Sequence, residues 1–261
     1  MILFDSHAHI NDNCYDDDLI DVIDRAKQAN VKGIMIAGVD VKKSFEAVKI
    51  ANKHLNIFIA VGIHPHNAKD CSQKALDELI NIFQNNSCVK AWGETGLDYN
   101  RMFSSIKDQE KCFANQLKIA GELDLPLILH ERDSNKRFYD ILKDKGPKSR
   151  KGVVHCFSGT KEELFCYLDL GYYIGITGIL TLKQKGEHLR KLALHIPNDR
   201  ILIETDSPYL TPAPQKNKTR RNEPCFVKSV LLKLAEIKNM NPDELSEIIF
   251  QNTIKLYNIS S

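Results

Sequence analysis

The sequence predicts a (β/α)8 barrel, and three observations lead to this fold class. Eight short apolar runs rich in β-branched residues recur about 25–35 residues apart, as the strands of such a barrel do. Between them lie segments with apolar residues at three- and four-residue steps, which is typical of helices that pack on a sheet. The chain has 261 residues, close to the roughly 250 that one barrel needs. We therefore expect a single domain over residues 1–261.

The predicted strands are short, and turn residues bound them. They cover residues 2–7, 33–38, 57–64, 89–94, 126–130, 152–156, 172–177 and 200–205. Helical spacing is clearest at 17–30 and 108–124, and two further helices are predicted at 224–239 and 242–258. The Pro/Lys/Arg/Asn-rich segment 211–224 before them predicts a loop. A doubly wound sheet would alternate similarly, but it more often has a glycine-rich phosphate loop after the first strand, and this sequence has none.

Composition and charge exclude several classes of protein. A net charge of +2 is too small for a chain that binds polyanions over its whole surface, so affinity for nucleic acid must come from local patches. The seven cysteines are odd in number and form no C-x-x-C pair, which favours reduced thiols over disulfides. Neither a signal-peptide pattern nor an apolar run of about 18 residues is present. We expect a soluble, cytoplasmic protein with no membrane association and no obligate protein partner.

Polar side chains capable of binding metal recur at the ends of the predicted strands. In the stretch DSHAH, Asp5, His7 and His9 alternate and therefore share one face of the first strand. Buried polar groups are costly unless something satisfies them, and a metal at the C-terminal mouth of a barrel would do so. Further His, Glu and Asp residues at strand ends are His64, Glu94, His130, His155 and Asp206.

Six of these residues form the predicted metal-ligand set, namely His7, His9, Glu94, His130, His155 and Asp206. Four histidines and two carboxylates suit Zn²⁺, Mn²⁺, Ni²⁺ or Co²⁺, and permit Mg²⁺ if waters complete its shell. Six donors are too many for one tetrahedral ion and about right for two. Glu94 is the natural carboxylate to bridge them, and two ions about 3.5–4 Å apart would clamp a phosphate and activate a water.

The chain resembles the TatD family of metal-dependent nucleases, within the amidohydrolase-like barrels. The matching stretches run nearly end to end: FDSHAHI, VGIHPH, GETGLDY, PLILHERD, HCFSG, ETDSPYL and RNEP. The resemblance implies a TIM-type barrel and a divalent-metal phosphodiesterase that acts on DNA, commonly as a 3′-to-5′ exonuclease, with Mg²⁺ or Mn²⁺ as the working ions and RNA as another possible substrate.

The resemblance also implies a role for each ligand. His7 and His9 would hold one ion with Glu94 and Asp206, and Glu94 would bridge to a second ion held by His130 and His155. The sequence departs from the family in the basic loop, where PAPQKNKTRRNEP is slightly longer than the usual segment and lacks its glycine. This departure bears on substrate binding and not on the metal ligands, since all six predicted ligand positions match the family pattern.

Two of the predicted ligands, and four further residues, are predicted to act on the water or the substrate. Asp206 would orient the attacking water and take its proton, so Asp206 and Glu94 are the predicted catalytic residues. Four residues are predicted to contact substrate phosphates: His64, Arg132, Arg220 and Arg221. The alternatives are a histidine bonded to a loop, an arginine paired with a neighbouring acid, and a basic loop, which also includes Lys216 and Lys218, that only faces solvent.

Three further residues lie close to the predicted ligands in the sequence. His66 is expected at the surface, Trp92 inside the barrel, and Asp98 either in a turn or supporting a ligand.

Two other functions compete with the nuclease. One is hydrolysis of an amide or ester, such as the ester bond of aminoacyl-tRNA, but related barrels often carry a modified lysine at the bridging position, where this chain has Glu94. The other is a non-catalytic protein that binds metal or nucleic acid, and the complete ligand set argues against it.

Overall fold

Strands and helices alternate along the chain from its first strand onward. The computed structural model describes residues 1–259. In that range the β-strands are β1 (Leu3–Ala8), β2 (Val31–Ala37), β3 (Ile57–Val61), β4 (Val89–Asp98), β5 (Leu127–Arg132), β6 (Gly152–Val154), β7 (Tyr173–Ile176) and β8 (Ile201–Ile203). The α-helices are α1 (Leu19–Gln28), α2 (Val41–Ala51), α3 (Gln73–Asn85), α4 (Ile106–Glu122), α5 (Lys136–Lys145), α6 (Lys161–Asp169), α7 (Glu187–Ala193), α8 (Val227–Lys238) and α9 (Pro242–Tyr257).

The order of the strands in the sheet follows their order in the chain, from β1 to β8. Paired strands such as β1 and β2, or β4 and β5, are parallel, and a helix follows each strand. This arrangement is the TIM-type (β/α)8 fold, and the predicted fold class is confirmed. All the predicted strands are present, but β4 continues four residues past its predicted end, through Asp98.

One compact unit, here called unit 1, consists of Met1–Ile36, Cys156–Ser158 and the chain from Ile174 onward. Helix α9 packs on β1 and β8 within it, and buries Leu245 and Ile249. The helix begins as predicted: the side chain of Asn241 accepts hydrogen bonds from the first free amides, and Pro242 occupies the first turn. These contacts fix the ends of β1 and β8 against a helical layer.

The other compact unit, unit 2, consists of Ala37–His155 and Gly159–Tyr173. Its core contains Phe113 stacked on Phe138, with ring centroids 5.1 Å apart. The expectation that Trp92 fills the barrel interior is wrong. Its indole N–H donates to Gln116 of α4 at 3.1 Å, because a register shift in β4 between Trp92 and Thr95 breaks the regular alternation of side chains.

The segment 211–224 is irregular, as predicted, apart from short 3-10 turns at Gln215–Asn217 and Pro224–Phe226. Within the segment, the Thr211 hydroxyl donates to the Arg220 carbonyl at 2.7 Å, and the Ala213 amide donates to the Thr181 hydroxyl, elsewhere in unit 1, at 2.8 Å. None of the helices within residues 1–259 is long and apolar enough to span a membrane. The single domain over residues 1–261 stays a prediction.

Candidate metal centre

In unit 2, one buried carboxylate lies among three histidines. These residues are the Glu94 group: His64, Glu94, His130 and His155. The Oε1 atom of Glu94 lies 2.6 Å from Nδ1 of His130, 3.0 Å from Nε2 of His155 and 3.3 Å from Nε2 of His64. The Glu94 side chain is only 3% exposed. Three histidines from different parts of the chain therefore meet at one oxygen atom of Glu94.

A glycine allows β4 and β5 to come close enough for this meeting. Gly96 pairs with His130 in the sheet and has a φ of +153°. A Cβ atom at this position would lie 1.8 Å from the carbonyl oxygen of His130. Any side chain here would therefore push β5, and with it His130, away from Glu94.

His64 has the hydrogen-bonding pattern of a proton donor. Its Nδ1 accepts the amide N–H of His66 at 3.1 Å. Burial lowers the pKa of His64 to about 4, so the ring is neutral at pH 7 and its proton is on Nε2, which faces Glu94. Nε2 in this tautomer donates, which fits the predicted contact of His64 with a substrate phosphate better than it fits a metal ligand.

Asp98 supports the Glu94 group from behind. Its Oδ1 accepts the amides of Asn100 and Arg101 at 3.0 and 2.8 Å. Its Oδ2 lies 2.8 Å from Nε2 of His66 and 3.5 Å from Nε2 of His130. Burial alone would raise the pKa of Asp98, but the hydrogen bonds from His130, His66 and Arg101 outweigh it and hold this pKa well below the usual range. Asp98 is therefore an anion that orients His130.

The contact with Asp98 also corrects the expectation for His66. We expected a surface residue, but its ring is held by a buried carboxylate, and its side chain is only 31% exposed. The contact depends on which face of β4 Asp98 occupies. The strand was predicted to stop at Glu94, four residues before Asp98, so the contact of Asp98 with His66 was not predicted, whereas its contacts with Asn100, Arg101 and His130 fit the two roles expected for it.

In unit 1, His7 of β1 and His9, which directly follows β1, face a second carboxylate. These residues are the Asp206 group: His7, His9 and Asp206. The Nε2 atoms of His7 and His9 are 3.2 Å apart, and they lie 3.6 and 3.4 Å from Oδ1 of Asp206. The Asp206 amide donates to the His7 carbonyl at 2.9 Å, which fixes the position of the carboxylate beside the rings. The Asp206 side chain is 15% exposed.

Two buried acids of unit 1 complete the surroundings of these ligands. Asp5 does not join His7 and His9. Its carboxylate accepts the Thr205 amide at 2.8 Å, and burial raises its pKa to about 8. Glu204, which the sequence analysis missed, is fully buried and accepts the amide of Cys156. The sequence could have indicated Glu204, because it lies two residues before Asp206 at the end of a predicted strand.

Both groups have the chemistry of a divalent metal site. In the Glu94 group, His130 and His155 each place a ring nitrogen within 3.0 Å of one Glu94 oxygen. In the Asp206 group, two imidazole nitrogens converge on one carboxylate oxygen. Imidazole and carboxylate donors suit Zn²⁺, Mn²⁺ and related ions. The donor sets therefore fit the metal use that the sequence predicts.

The arginines predicted to contact phosphates differ in their surroundings. Arg132 is exposed at the end of β5, and Arg220 is exposed in the 211–224 segment. Arg221 instead donates to both Asp18 oxygens, at 2.8 and 2.7 Å, and to Glu223 at 3.1 Å. Its guanidinium also lies over the ring of Tyr15. These pairs count against a phosphate contact at Arg221 and leave Arg132 and Arg220 as the stronger candidates.

A (β/α)8 fold with imidazole and carboxylate groups at its strand ends is typical of metal-dependent hydrolases. The family model described as TatD related DNase matches residues 4–258. The "3'-5' ssDNA/RNA exonuclease TatD" of Pectobacterium parmentieri is 37% identical over 99% of this chain and 100% of its own length. The "uncharacterized metal-dependent hydrolase YabD" of Bacillus subtilis is also 37% identical, with the same coverage.

Solved structures agree with these relatives. The crystal structure of YJJV, a TatD homologue from Escherichia coli K12, has a TM-score of 0.90 and 28% identity, and the match covers 99% of this chain and 98% of that one. The chain belongs to the TatD-related DNase family. The predicted family, and the predicted class of hydrolytic, metal-dependent nuclease, are confirmed.

Proposed function

We propose that the protein is a 3′-to-5′ exonuclease that removes nucleotides from single-stranded DNA, with RNA as a second substrate. The observation that carries this proposal is the Glu94 group, in which three imidazole nitrogens lie within 3.3 Å of one buried carboxylate oxygen. The family relationship supports the substrate, since the relative from Pectobacterium parmentieri is named for single-stranded DNA and RNA.

The proposal includes two divalent ions, one at the Glu94 group and one at the Asp206 group. Mg²⁺ or Mn²⁺ would serve in catalysis, although Zn²⁺, Ni²⁺ and Co²⁺ also suit the donors. Glu94, His130 and His155 would hold the first ion, and His7, His9 and Asp206 the second. When bound, such ions polarise the scissile phosphate and provide a nucleophile at neutral pH.

The residues of the chain carry the remaining steps. Asp206 is 15% exposed, so its carboxylate can meet a water molecule, orient it and accept its proton. Neutral His64 donates the hydrogen on Nε2 to a phosphate oxygen. Arg132 offers a guanidinium that can hold a phosphate through two parallel hydrogen bonds, and Arg220 attracts the nucleic acid backbone.

We further propose that the enzyme works in the cytoplasm without an obligate protein partner. All seven cysteines are free, which suits a reducing compartment.

Digestion of end-labelled oligonucleotides tests the proposed function. Chelated protein should be inactive, and Mg²⁺ or Mn²⁺ should restore it. With a 5′ label, single-stranded DNA should give a ladder that shortens from the 3′ end, and a 3′ label should be released first as a mononucleotide. A ladder that shortens only from the 5′ end would contradict the polarity. Full activity in protein shown to be metal-free by elemental analysis would contradict the mechanism, and turnover of aminoacyl-tRNA alone would favour the ester-hydrolase alternative.

A further inference from the structure

The loop after β4 presents a phenylalanine to solvent beside the Glu94 group. Phe103 is 60% exposed, and the preceding Met102 is 42% exposed. Single exposed apolar residues are common and do not by themselves indicate a function. Phe103 differs because its ring contacts His66 edge to face, with centroids 4.8 Å apart. This contact connects the exposed ring to the candidate site.

A short chain of rings links Phe103 to the proposed phosphate-binding residues. The His66 ring lies 4.2 Å from the ring of His64 and 6.3 Å from that of His130. Phe103 is thus separated from these two histidines by a single imidazole. The sugar and base of one nucleotide can cover this distance when its phosphate lies at the Glu94 group.

Hydrogen bonds hold the loop that carries Phe103 in place. The buried hydroxyl of Ser104 donates to the His66 carbonyl at 2.9 Å and accepts the Lys69 amide at 3.0 Å. Gln109 of α4 donates to the Ser104 carbonyl at 3.0 Å. On the other side, Asp98 accepts the Arg101 amide. The ring is therefore presented on an ordered backbone, so a ligand that binds it need not pay for ordering the loop.

We propose that Phe103 is a stacking platform for an unpaired base of the substrate. The proposal rests on the proposed function and specifies its substrate as single-stranded nucleic acid, because bases in a duplex are already stacked on each other. Aromatic side chains beside positive charge are how proteins bind single strands without reading their sequence. The exposed Arg101 supplies that charge two residues before Phe103.

The stacking is measured directly with an oligonucleotide that carries 2-aminopurine near its 3′ end, since stacking on an aromatic ring quenches this base. Chelator in the buffer prevents hydrolysis. Trp92, the one tryptophan of the chain, is fully buried and does not contribute. Wild type should quench the fluorescence, Phe103→Leu should not, and Phe103→Trp should restore quenching. Phe45→Leu is the matched control, because Phe45 is 53% exposed on α2 and lies outside this loop.

The same variants give a second readout in affinity. Phe103→Leu should weaken binding of single-stranded DNA about 5- to 150-fold, which is the range for loss of one stacked base. The loss should vanish when the stacked nucleotide is abasic, and Phe103→Trp should bind like wild type, which shows that the loop still folds. Equal quenching and affinity in wild type and Phe103→Leu would overturn the platform while leaving the nuclease intact. A wild type that neither binds nor digests single-stranded DNA would overturn the proposed function and the platform together.

Discussion

The Glu94 group and the Asp206 group use the same kinds of donor but differ in how firmly they are held. The Glu94 side chain is 3% exposed, and His130 and His155 lie within 3.0 Å of one of its oxygens. Asp206 is 15% exposed and stands 3.4–3.6 Å from its histidines. Asp98, an anion, also supports His130. The difference predicts a tight ion at the Glu94 group and a weaker, exchangeable ion at the Asp206 group.

The electrostatics of His130 point in the same direction. Burial would lower the pKa of His130, but hydrogen bonds with Asp98 and Glu94 outweigh it and raise the pKa above its usual value. Without a metal, the two carboxylates therefore favour the protonated form of this ring. A divalent ion would replace that proton. The negative charges of Asp98 and Glu94, which favour the protonated ring, would also favour the bound metal ion.

The largest effect is expected for Glu94→Gln. The variant keeps the size of the side chain and removes the charge on which three imidazoles converge. We expect loss of the ion at the Glu94 group and a fall in activity of roughly 10³-fold or more, since metal stabilisation of transition-state charge supplies several kcal/mol. Metal content and kcat are measured together. Glu110→Gln is the control, because the Glu110 carboxylate pairs with Arg137 and Tyr99, outside the Glu94 group. A Glu94→Gln variant that keeps its ion and its rate would refute the role of this carboxylate.

A smaller effect is expected for Asp98→Asn. Asp98 contacts His130 and His66, which both belong to unit 2. Loss of such a supporting carboxylate typically weakens metal affinity 10- to 100-fold. Titration with Mn²⁺ should show this change at the tight ion alone. If affinity is unchanged while the melting temperature falls, Asp98 only stabilises the turn at Asn100 and Arg101.

The smallest effects should separate the neighbours Arg220 and Arg221. Arg221→Gln breaks pairs with Asp18 and Glu223 and should lower the free energy of unfolding by about 1 kcal/mol, with little change in the salt dependence of DNA binding. Arg220→Gln should leave unfolding unchanged and reduce the salt slope by about 0.7, the value for one phosphate contact on a single strand. Thermal melts and binding isotherms at several salt concentrations decide between them. A lower salt slope in Arg221→Gln, with no change in Arg220→Gln, would show that Arg221 contacts a substrate phosphate.

The fold was predictable because hydrophobic spacing, turn residues and chain length together indicate eight strands that alternate with helices. The approximate positions of the strands were predictable as well, and they led to Glu94, His130, His7 and His9. Trp92 was misjudged, and the contact of Asp98 with His66 was missed, for the same reason. A register shift between Trp92 and Thr95 changes the phase of β4, and the strand continues beyond its predicted end, so alternation counted from the sequence fails there.

Arg221 illustrates a second limit. Its partner Asp18 is 203 residues away in the chain, so the sequence could not distinguish it from Arg220. Phe103 illustrates a third limit, since nothing in the spacing of the loop shows that its ring lies against His66.

Titration of chelated protein with Mn²⁺ tests most directly the central claim that two unequal metal groups serve one nuclease. Wild type should bind two ions per chain, one tightly and one weakly. Asp206→Asn should keep the tight ion, lose or weaken the other, and lower kcat by about 10²–10⁴ while substrate affinity changes little. A single class of site in the wild type, or loss of the tight ion in Asp206→Asn, would contradict the account.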